Sequence, residues 1–433
     1  MLSREENDAV TQVGPGTPLG EMMRRYWIPV CSSRQIANKD SAPLRVRLLG
    51  EDFIAFRDTN GKVGVLEEMC MHRGASLALG RVEECGIRCL YHGWKFAVDG
   101  TIMDTPNHPD PRFKARLKAP AFPVREEGGI IWTYLGPKEK EPPFQHHRFM
   151  DAKPENRCVL RINVQANYLQ LWEGGCDSSH VGILHSDVAR PGWLDKTFKP
   201  TTDPLNPGAF ASDDNAPRLD LEDTEFGWHY AAFRNMPPKD GVAVENCRIV
   251  PLIMPWTRII PSPNSYYTVF EVAADDFSTS TFIVVDSSQT VNEQHIIKIL
   301  GLDDPRFYDP ETCEFTALPA KRWGQNRQAM QQAWTGFRGI ETEDAVMSLS
   351  MGPIMNRTKE HLVTADQGVM RLRRRILQSI KRMQEGGDPF GVMVPDLSTI
   401  VAGDYTVPIG TRWQDLAPAN AKLQAAPREK APA

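Results

Sequence analysis

The sequence predicts an α+β fold in two domains: a small antiparallel β-domain, and a larger domain in which helices cover an antiparallel sheet. Three observations predict it. Short alternating segments broken by turn residues crowd the stretch from residue 44 to residue 134. A Lys/Glu/Pro-rich linker, Lys138–Pro143, follows them. Beyond the linker the order is helix, several strands, then helices. The small domain is expected over residues 39–150, the larger over 1–38 and 151–416, with 417–433 a flexible Ala/Pro/Lys-rich tail. A chain of 433 residues is long enough to give each a filled core.

Each element has its local reason. Thr17–Trp27 (TPLGEMMRRYW) reads as a short helix, with Thr17 as cap and Pro18 in the first turn. LRVRLLG, DFIAFRD, KVGVLEE, GIRCLYH and WKFAVDG read as short strands from Leu44 onward, and DTNGKV is a hairpin turn between two of them. Gln165–His185 has helical length and composition. Phe226–Phe233, Asn246–Ile253, Tyr266–Ala273 and Thr279–Val285 read as strands, the last of them buried. Lys321–Ser350 and Asp366–Gln384 read as long helices.

Composition narrows the function. The net charge of −5 carries no basic footprint for nucleic acid. Apolar runs such as Ile249–Trp256 fall far short of the roughly 20 residues a membrane span requires. MLSREENDAV lacks the basic and apolar regions of a secretory leader, so a cytoplasmic location is expected. In a reducing compartment, a close Cys/His grouping among the eight cysteines means metal rather than a disulfide.

Such a grouping exists. Cys70-Met-His72 and Cys89-Leu-Tyr-His92 each join one Cys to one His, flanked by strand-like sequence. Three readings compete: a tetrahedral zinc site, a [2Fe–2S] cluster with two Cys on one iron and two His on the other, or ordinary loop residues. Zinc fingers pair Cys with Cys and His with His, whereas each loop here mixes the two. Mixing suits a diamond-shaped cluster gripped from two sides, and Gly74 and Gly93 allow close backbone approach. Cys85 lies outside both pairs and reads as a small buried residue.

CMHRGASL and CLYHGWKFAVDG resemble the cluster loops of Rieske ring-hydroxylating oxygenases. The resemblance implies Cys70 and Cys89 on one iron, and His72 and His92 on the other. Neutral imidazoles in place of thiolates raise the cluster's potential. Trp94 and Arg73 are expected beside it.

A second constellation lies in NYLQLWEGGCDSSHVGILH. His180 and His185 alone are a weak pair, because five residues turn an ideal helix about 500°, or roughly 140° net. They can share a metal only where the helix is distorted or ends, which Gly182 permits. The segment resembles the iron-binding D-x₂-H-x₄-H of the same family. The resemblance implies His180 and His185 as ligands of a mononuclear Fe(II), with Asp344 of ETEDAVMSLSMGPIMNRTKEHL as the carboxylate; Glu341 and Glu343 are the alternatives. Two His and one carboxylate occupy one face of Fe(II) and leave positions open for oxygen chemistry. It implies further that Asp177 connects His180 to a cluster histidine, His92, of a neighbouring subunit.

The resemblance spans nearly the whole chain and is closest to the phthalate dioxygenase-like branch. It implies a helix-grip (START-like) catalytic domain and a homo-oligomer, as a trimer or stacked trimers. Electrons are expected from NAD(P)H through a separate flavin/iron–sulfur reductase, since the chain has no GxGxxG fingerprint in a βαβ setting and no further Cys₄ pattern. The expected reaction adds O₂ to an aromatic carboxylate of the phthalate or isophthalate type, giving a cis-dihydrodiol. Arg234 and Arg248 are the candidate carboxylate-binding cations, with Ser178 and Ser179 as hydroxyl donors. Two alternatives stand beside this: a Rieske monooxygenase such as an aryl-ether O-demethylase, and a non-catalytic Rieske electron carrier, which would have no need of the second constellation.

Overall fold

The computed structural model describes residues 1–108, 110–200 and 212–416, so the tail expected beyond residue 416 lies outside the described residues. The chain forms two compact units. The smaller comprises Gln12–Pro142 with Val272–Asp276; the larger comprises Met1–Thr11, Pro143–Glu271 and Phe277 onward.

Among the described residues, the smaller unit holds three small antiparallel sheets. One contains the Glu51–Arg57 and Val63–Glu67 hairpin. Its turn closes as the sequence predicts: Asp58 accepts from the amides of Asn60 and Lys62 at 2.9 Å each, and Gly61 supplies the positive φ. A second sheet runs through Arg81–Glu83, Gly86–Arg88, Lys95–Phe96 and Ile102–Asp104. Ile54, Phe56, Leu66, Ile87, Phe96 and Ile102 form a core that also takes in Cys70, Cys89 and Trp94.

Residues 12–38, expected with the larger unit, group with the smaller one. The reason is strand pairing: Trp27–Ser32 runs antiparallel to Ile130–Tyr134 in the third sheet. The helix before it spans Pro18–Met23, capped by the Thr17 hydroxyl accepting from the Gly20 amide at 3.1 Å.

The larger unit is built on a nine-stranded sheet, counted among the described residues. Arg218–Asp223, Gly227–Asn235, Val244–Ile253, Thr257–Ser262, Ser265–Asp275, Ser278–Ser287 and Arg157–Val164 follow one another as neighbours. Gly403–Pro408 pairs antiparallel with Val244–Ile253, and Glu314–Phe315 pairs parallel with Arg157–Val164. Ile162, Val164, Ile283 and Val285 pack with Leu171, Ala345 and Val346, which seats the Tyr168–Cys176 and Ile340–Ser350 helices on the apolar sheet. The expected Lys321–Ser350 helix is corrected: only Ile340–Ser350 is α-helical. Gly336 and Gly339 take positive φ, and a left-handed residue ends a helix. Arg218–Asp223, Arg157–Val164, Thr257–Ser262 and Gly403–Pro408 are strands that the sequence pattern does not announce.

Candidate iron–sulfur and mononuclear metal centres

The two cluster loops close in the same way. In the first, the Cys70 amide donates to the Ala75 carbonyl at 2.9 Å and Gly74 donates back to Cys70 at 2.8 Å. In the second, Cys89 donates to Trp94 at 2.8 Å and Gly93 donates back to Cys89 at 3.0 Å. Both glycines take positive φ, 71° and 75°, which such a closure demands. Histidine occurs at the second position after the cysteine in one loop and the third in the other. The same hairpin tip thus presents both pairs despite unequal spacing.

Cys70 and Cys89 are buried and unbridged. Burial, with the Cys89 thiol alongside, pushes the Cys70 thiol up to about 11. The His72 and His92 rings meet edge to face with centroids 4.6 Å apart. Nδ1 of His92 is buried and makes no hydrogen bond among the described residues. Two buried thiols and two adjoining imidazoles, one with an unsatisfied buried nitrogen, fit a Rieske cluster. Trp94 stacks on His72, centroids 4.7 Å apart and nearly parallel, and its indole N–H donates to Asn107 at 2.8 Å. The Arg73 guanidinium lies 5.5 Å over the Tyr91 ring. Cys85 is half-buried, with its Sγ 3.1 Å from the Asn60 amide nitrogen.

The second centre forms where the Gln165–His185 segment breaks. Tyr168–Cys176 is helical, Asp177 leaves the helix with extended backbone, and Val181–Leu184 makes one further turn ending at His185. That ending resolves the divergence of a histidine pair five residues apart. The two rings lie with centroids 5.3 Å apart at 80°. One ligand atom each from His180, His185 and Asp344 lies within 4.8 Å of the others.

The carboxylates set the direction in which each ring faces. Nε2 of His185 and of His180 lie 3.3 Å and 3.8 Å from Oδ1 of Asp344. On the far side, Nδ1 of His185 is 2.8 Å from Glu343, whose other oxygen accepts from the Thr335 hydroxyl at 2.5 Å. Nδ1 of His180 is 3.3 Å from Asp177, within ion-pair reach but off hydrogen-bond alignment. A carboxylate behind each Nδ1 favours the tautomer that turns an Nε2 lone pair toward a cation. The donor set therefore fits one Fe(II) on a two-His, one-carboxylate face.

The charges agree. Burial pulls His185 down, but Asp344 and Glu343 outweigh it and push it up to about 10. Burial pushes Asp344 up, and the two histidines more than offset this, holding it below the usual carboxylate range. Asp177 is likewise held low, its burial outweighed by His180 and by the Ser179 and His180 amides.

A buried ion network holds the helix that leads into the site. Both oxygens of Glu173 accept from Arg357 at 2.9 Å, and one also accepts from Arg373 Nε at 2.6 Å. Arg373 pairs in turn with Glu360. Removing one member would leave an uncompensated buried charge, which costs about 3–5 kcal/mol.

The structure separates the candidate substrate residues. Arg234 and Arg248 project from the same face of adjacent strands, because Arg234 pairs with Asn246 and Ala232 with Arg248. Arg248 is committed to Asp404 at 2.9 Å, which answers its charge. Among the described residues Arg234 has no carboxylate in contact: its Nη2 donates to the Ser178 carbonyl and, at 2.9 Å, to the Ser178 hydroxyl, while Nη1 is buried without a partner. Burial and the neighbouring Arg248 pull Arg234 down to about 10. The Ser179 hydroxyl donates to the Asn215 carbonyl at 2.7 Å. Glu343, by sequence only an alternative ligand, is instead the partner of His185. Its signal is adjacency to Asp344 in the first turn of one helix. Among the described residues, no helix is long and apolar enough to cross a membrane.

Comparison with known proteins agrees with both centres. Residues 26–123 match the Rieske [2Fe-2S] domain, and residues 133–431 match the family described as LigXa C-terminal domain like. The oxygenase subunit of phthalate 4,5-dioxygenase from Pseudomonas putida is 35% identical over 406 residues, covering 90% of this chain and 89% of that one. The oxygenase subunit of 3-chlorobenzoate-3,4-dioxygenase from Comamonas testosteroni is 31% identical over 435 residues, covering 96% and 97%. The oxygenase subunit of 5,5'-dehydrodivanillate O-demethylase from Sphingobium is 29% identical over 399 residues, covering 91% and 84%. The same fold is seen in a carbazole-bound oxygenase in complex with the ferredoxin of carbazole 1,9a-dioxygenase, with a TM-score of 0.54, 19% identity, and coverage of 85% of this chain and 90% of that one. The chain belongs to the Rieske non-haem iron oxygenases, as an oxygenase subunit of the phthalate dioxygenase-like branch.

Proposed function

We propose that the protein adds oxygen to an aromatic carboxylate of the phthalate or isophthalate type, with Arg234 as the residue that binds the carboxylate. One observation carries the reading: a buried guanidinium, fixed on Ser178 two residues before His180, keeps Nη1 without a partner. A buried donor on a charged group is costly to leave unsatisfied, and a carboxylate satisfies it best. In a water-poor site the attraction is stronger than at the surface. Relatives named for phthalate and 3-chlorobenzoate support the class.

In this reading Cys70, His72, Cys89 and His92 hold the cluster, and His180, His185 and Asp344 hold the iron. The iron, when bound, supplies oxygen activation driven by electrons that reach it from a cluster. Glu343 and Asp177 keep the two imidazoles turned toward it, and Asp177 also connects His180 to the cluster of a neighbouring protomer. Electrons come from NAD(P)H through a separate reductase, and the oxygenase works as a trimer or stacked trimers.

A second outcome, monooxygenation with O-demethylation, is supported by the demethylase relative. The same residues serve both, because substrate pose decides which bond is oxidised. Product analysis on a panel of phthalates, benzoates and methoxybenzoates, with a reductase of this class, tests the proposal. Cis-dihydrodiols from the carboxylates uphold it; demethylated phenols alone would replace it with the second outcome.

A further inference from the structure

Arg190 is 1% exposed, and Nε, Nη1 and Nη2 are all buried without a hydrogen-bond partner among the described residues. Its guanidinium lies 5.1 Å over the Trp193 ring, an attraction that offsets only part of the lost hydration. Among the described residues no carboxylate lies in ion-pair contact with it. Burial pulls its pKa down, and Asp213, an exposed residue, acts on it only through space. The group packs against the short turn between the two iron-binding histidines: a Cβ at Gly182 would lie 2.9 Å from Nη2 and 3.0 Å from Cζ. A glycine there is what lets the guanidinium come so close.

Leaving a guanidinium desolvated and unpaired destabilises a fold, so such a group marks a place where an anion completes the structure. Two buried guanidiniums with no carboxylate in contact among the described residues lie against the Ser178–His185 segment, Arg190 wholly without hydrogen bonds and Arg234 with Nη1 left over. Arg234 is fixed at Ser178, and Arg190 lies at Gly182, four residues further along. We propose that Arg190 is a second anion-binding residue of the active site, taking the second carboxylate of a dianionic aromatic substrate and so setting the preference for a diacid over a monoacid. This rests on the reading of Arg234 given above.

The test is equilibrium titration of the purified oxygenase, without reductase, with phthalate and with benzoate, alongside thermal unfolding. The parent is expected to bind phthalate at least about tenfold more tightly than benzoate. Arg190→Met is expected to weaken phthalate by about 30-fold or more, the scale of losing a buried charge pair, and to change benzoate less than about threefold. Its ligand-free melting temperature should stay level or rise, because the unpaired charge is gone; a purely structural arginine would lower it. Arg190→Lys keeps the charge but not the planar fork, and should recover part of the phthalate affinity. Phthalate binding unchanged in the folded Met or Lys variant overturns the role of Arg190 and leaves that of Arg234 standing. A parent that binds neither acid overturns both.

Discussion

Nδ1 of His185 lies 2.8 Å from Glu343, while Nε2 of the same ring lies 3.3 Å from Asp344, the next residue along the chain. Two consecutive carboxylates thus address opposite nitrogens of one imidazole, one orienting the ring and the other sharing the metal position. Replacing the orienting group should weaken metal binding without abolishing it. Glu343→Gln is expected to lower iron affinity about 10–100-fold, read by competition with a chelator. Unchanged affinity would show that the contact does not orient the ligand.

Asp177 caps the Tyr168–Cys176 helix and stands 3.3 Å from Nδ1 of His180. Asp177→Asn keeps the shape and removes the charge. The variant should bind both metal centres and accept electrons from the reductase into its cluster, yet form product at least about 100-fold more slowly, because the connection between centres is lost. Product formation at the parent rate would remove this role.

Arg234→Ala should raise KM for a carboxylate substrate about 30-fold or more and change kcat less, since the guanidinium holds the bound substrate and transition state alike. Steady-state kinetics on the best acid from the product panel checks this. An unchanged KM places the carboxylate elsewhere.

Metal content separates the two centres. The purified protein should hold about three irons per chain, two in the cluster and one at the histidine–aspartate site. Mild chelation is expected to remove about one iron, abolish product formation and leave the red-brown colour, because the open site exchanges faster than a cluster gripped by four side chains. Zinc at the Cys70–His92 loops would contradict the cluster.

Acid sensitivity should trace in part to His147, which is buried against Phe149 and Phe270. Burial, with His146 adjacent, pulls its pKa from 6.5 to about 3. The folded protein therefore refuses a proton that the unfolded chain takes up. No stability is lost through this group above the unfolded value of 6.5, and stability falls progressively as pH drops from 6.5 to about 3. His147→Asn should shift the midpoint of acid unfolding to lower pH, as followed by near-ultraviolet circular dichroism.

Both metal centres are legible in the order of residues along the chain. C-x-H with C-x₂-H puts one Cys and one His on each loop, a mixture that suits a cluster, whereas H-x₄-H is a weak signal by itself and becomes legible through its resemblance to the family's iron-binding segment. The hairpin at Asp58–Lys62 is legible for a similar reason: its geometry is written in consecutive residues. The long helix expected from Lys321 fails because the pattern of apolar residues conceals the left-handed breaks at Arg322–Gly324 and at glycines 336 and 339. Strand Trp27–Ser32 joins the smaller unit because its partner, Ile130–Tyr134, lies about a hundred residues away, where local pattern has no reach.

The sequence by itself set out the candidate chemistry: two mixed Cys–His loops, and a histidine pair whose resemblance to the family calls for a carboxylate from a distant helix. Tertiary structure alone decided which charges are already answered. Arg248 and Arg234 look alike in sequence, yet one meets Asp404 and the other keeps a buried nitrogen without a partner. Arg190 is unremarkable in sequence, and only folding buries its guanidinium beside Gly182. The physical reason is that ligand sets are local and typed by residue, whereas the balance of a buried charge depends on every neighbour that folding brings to it.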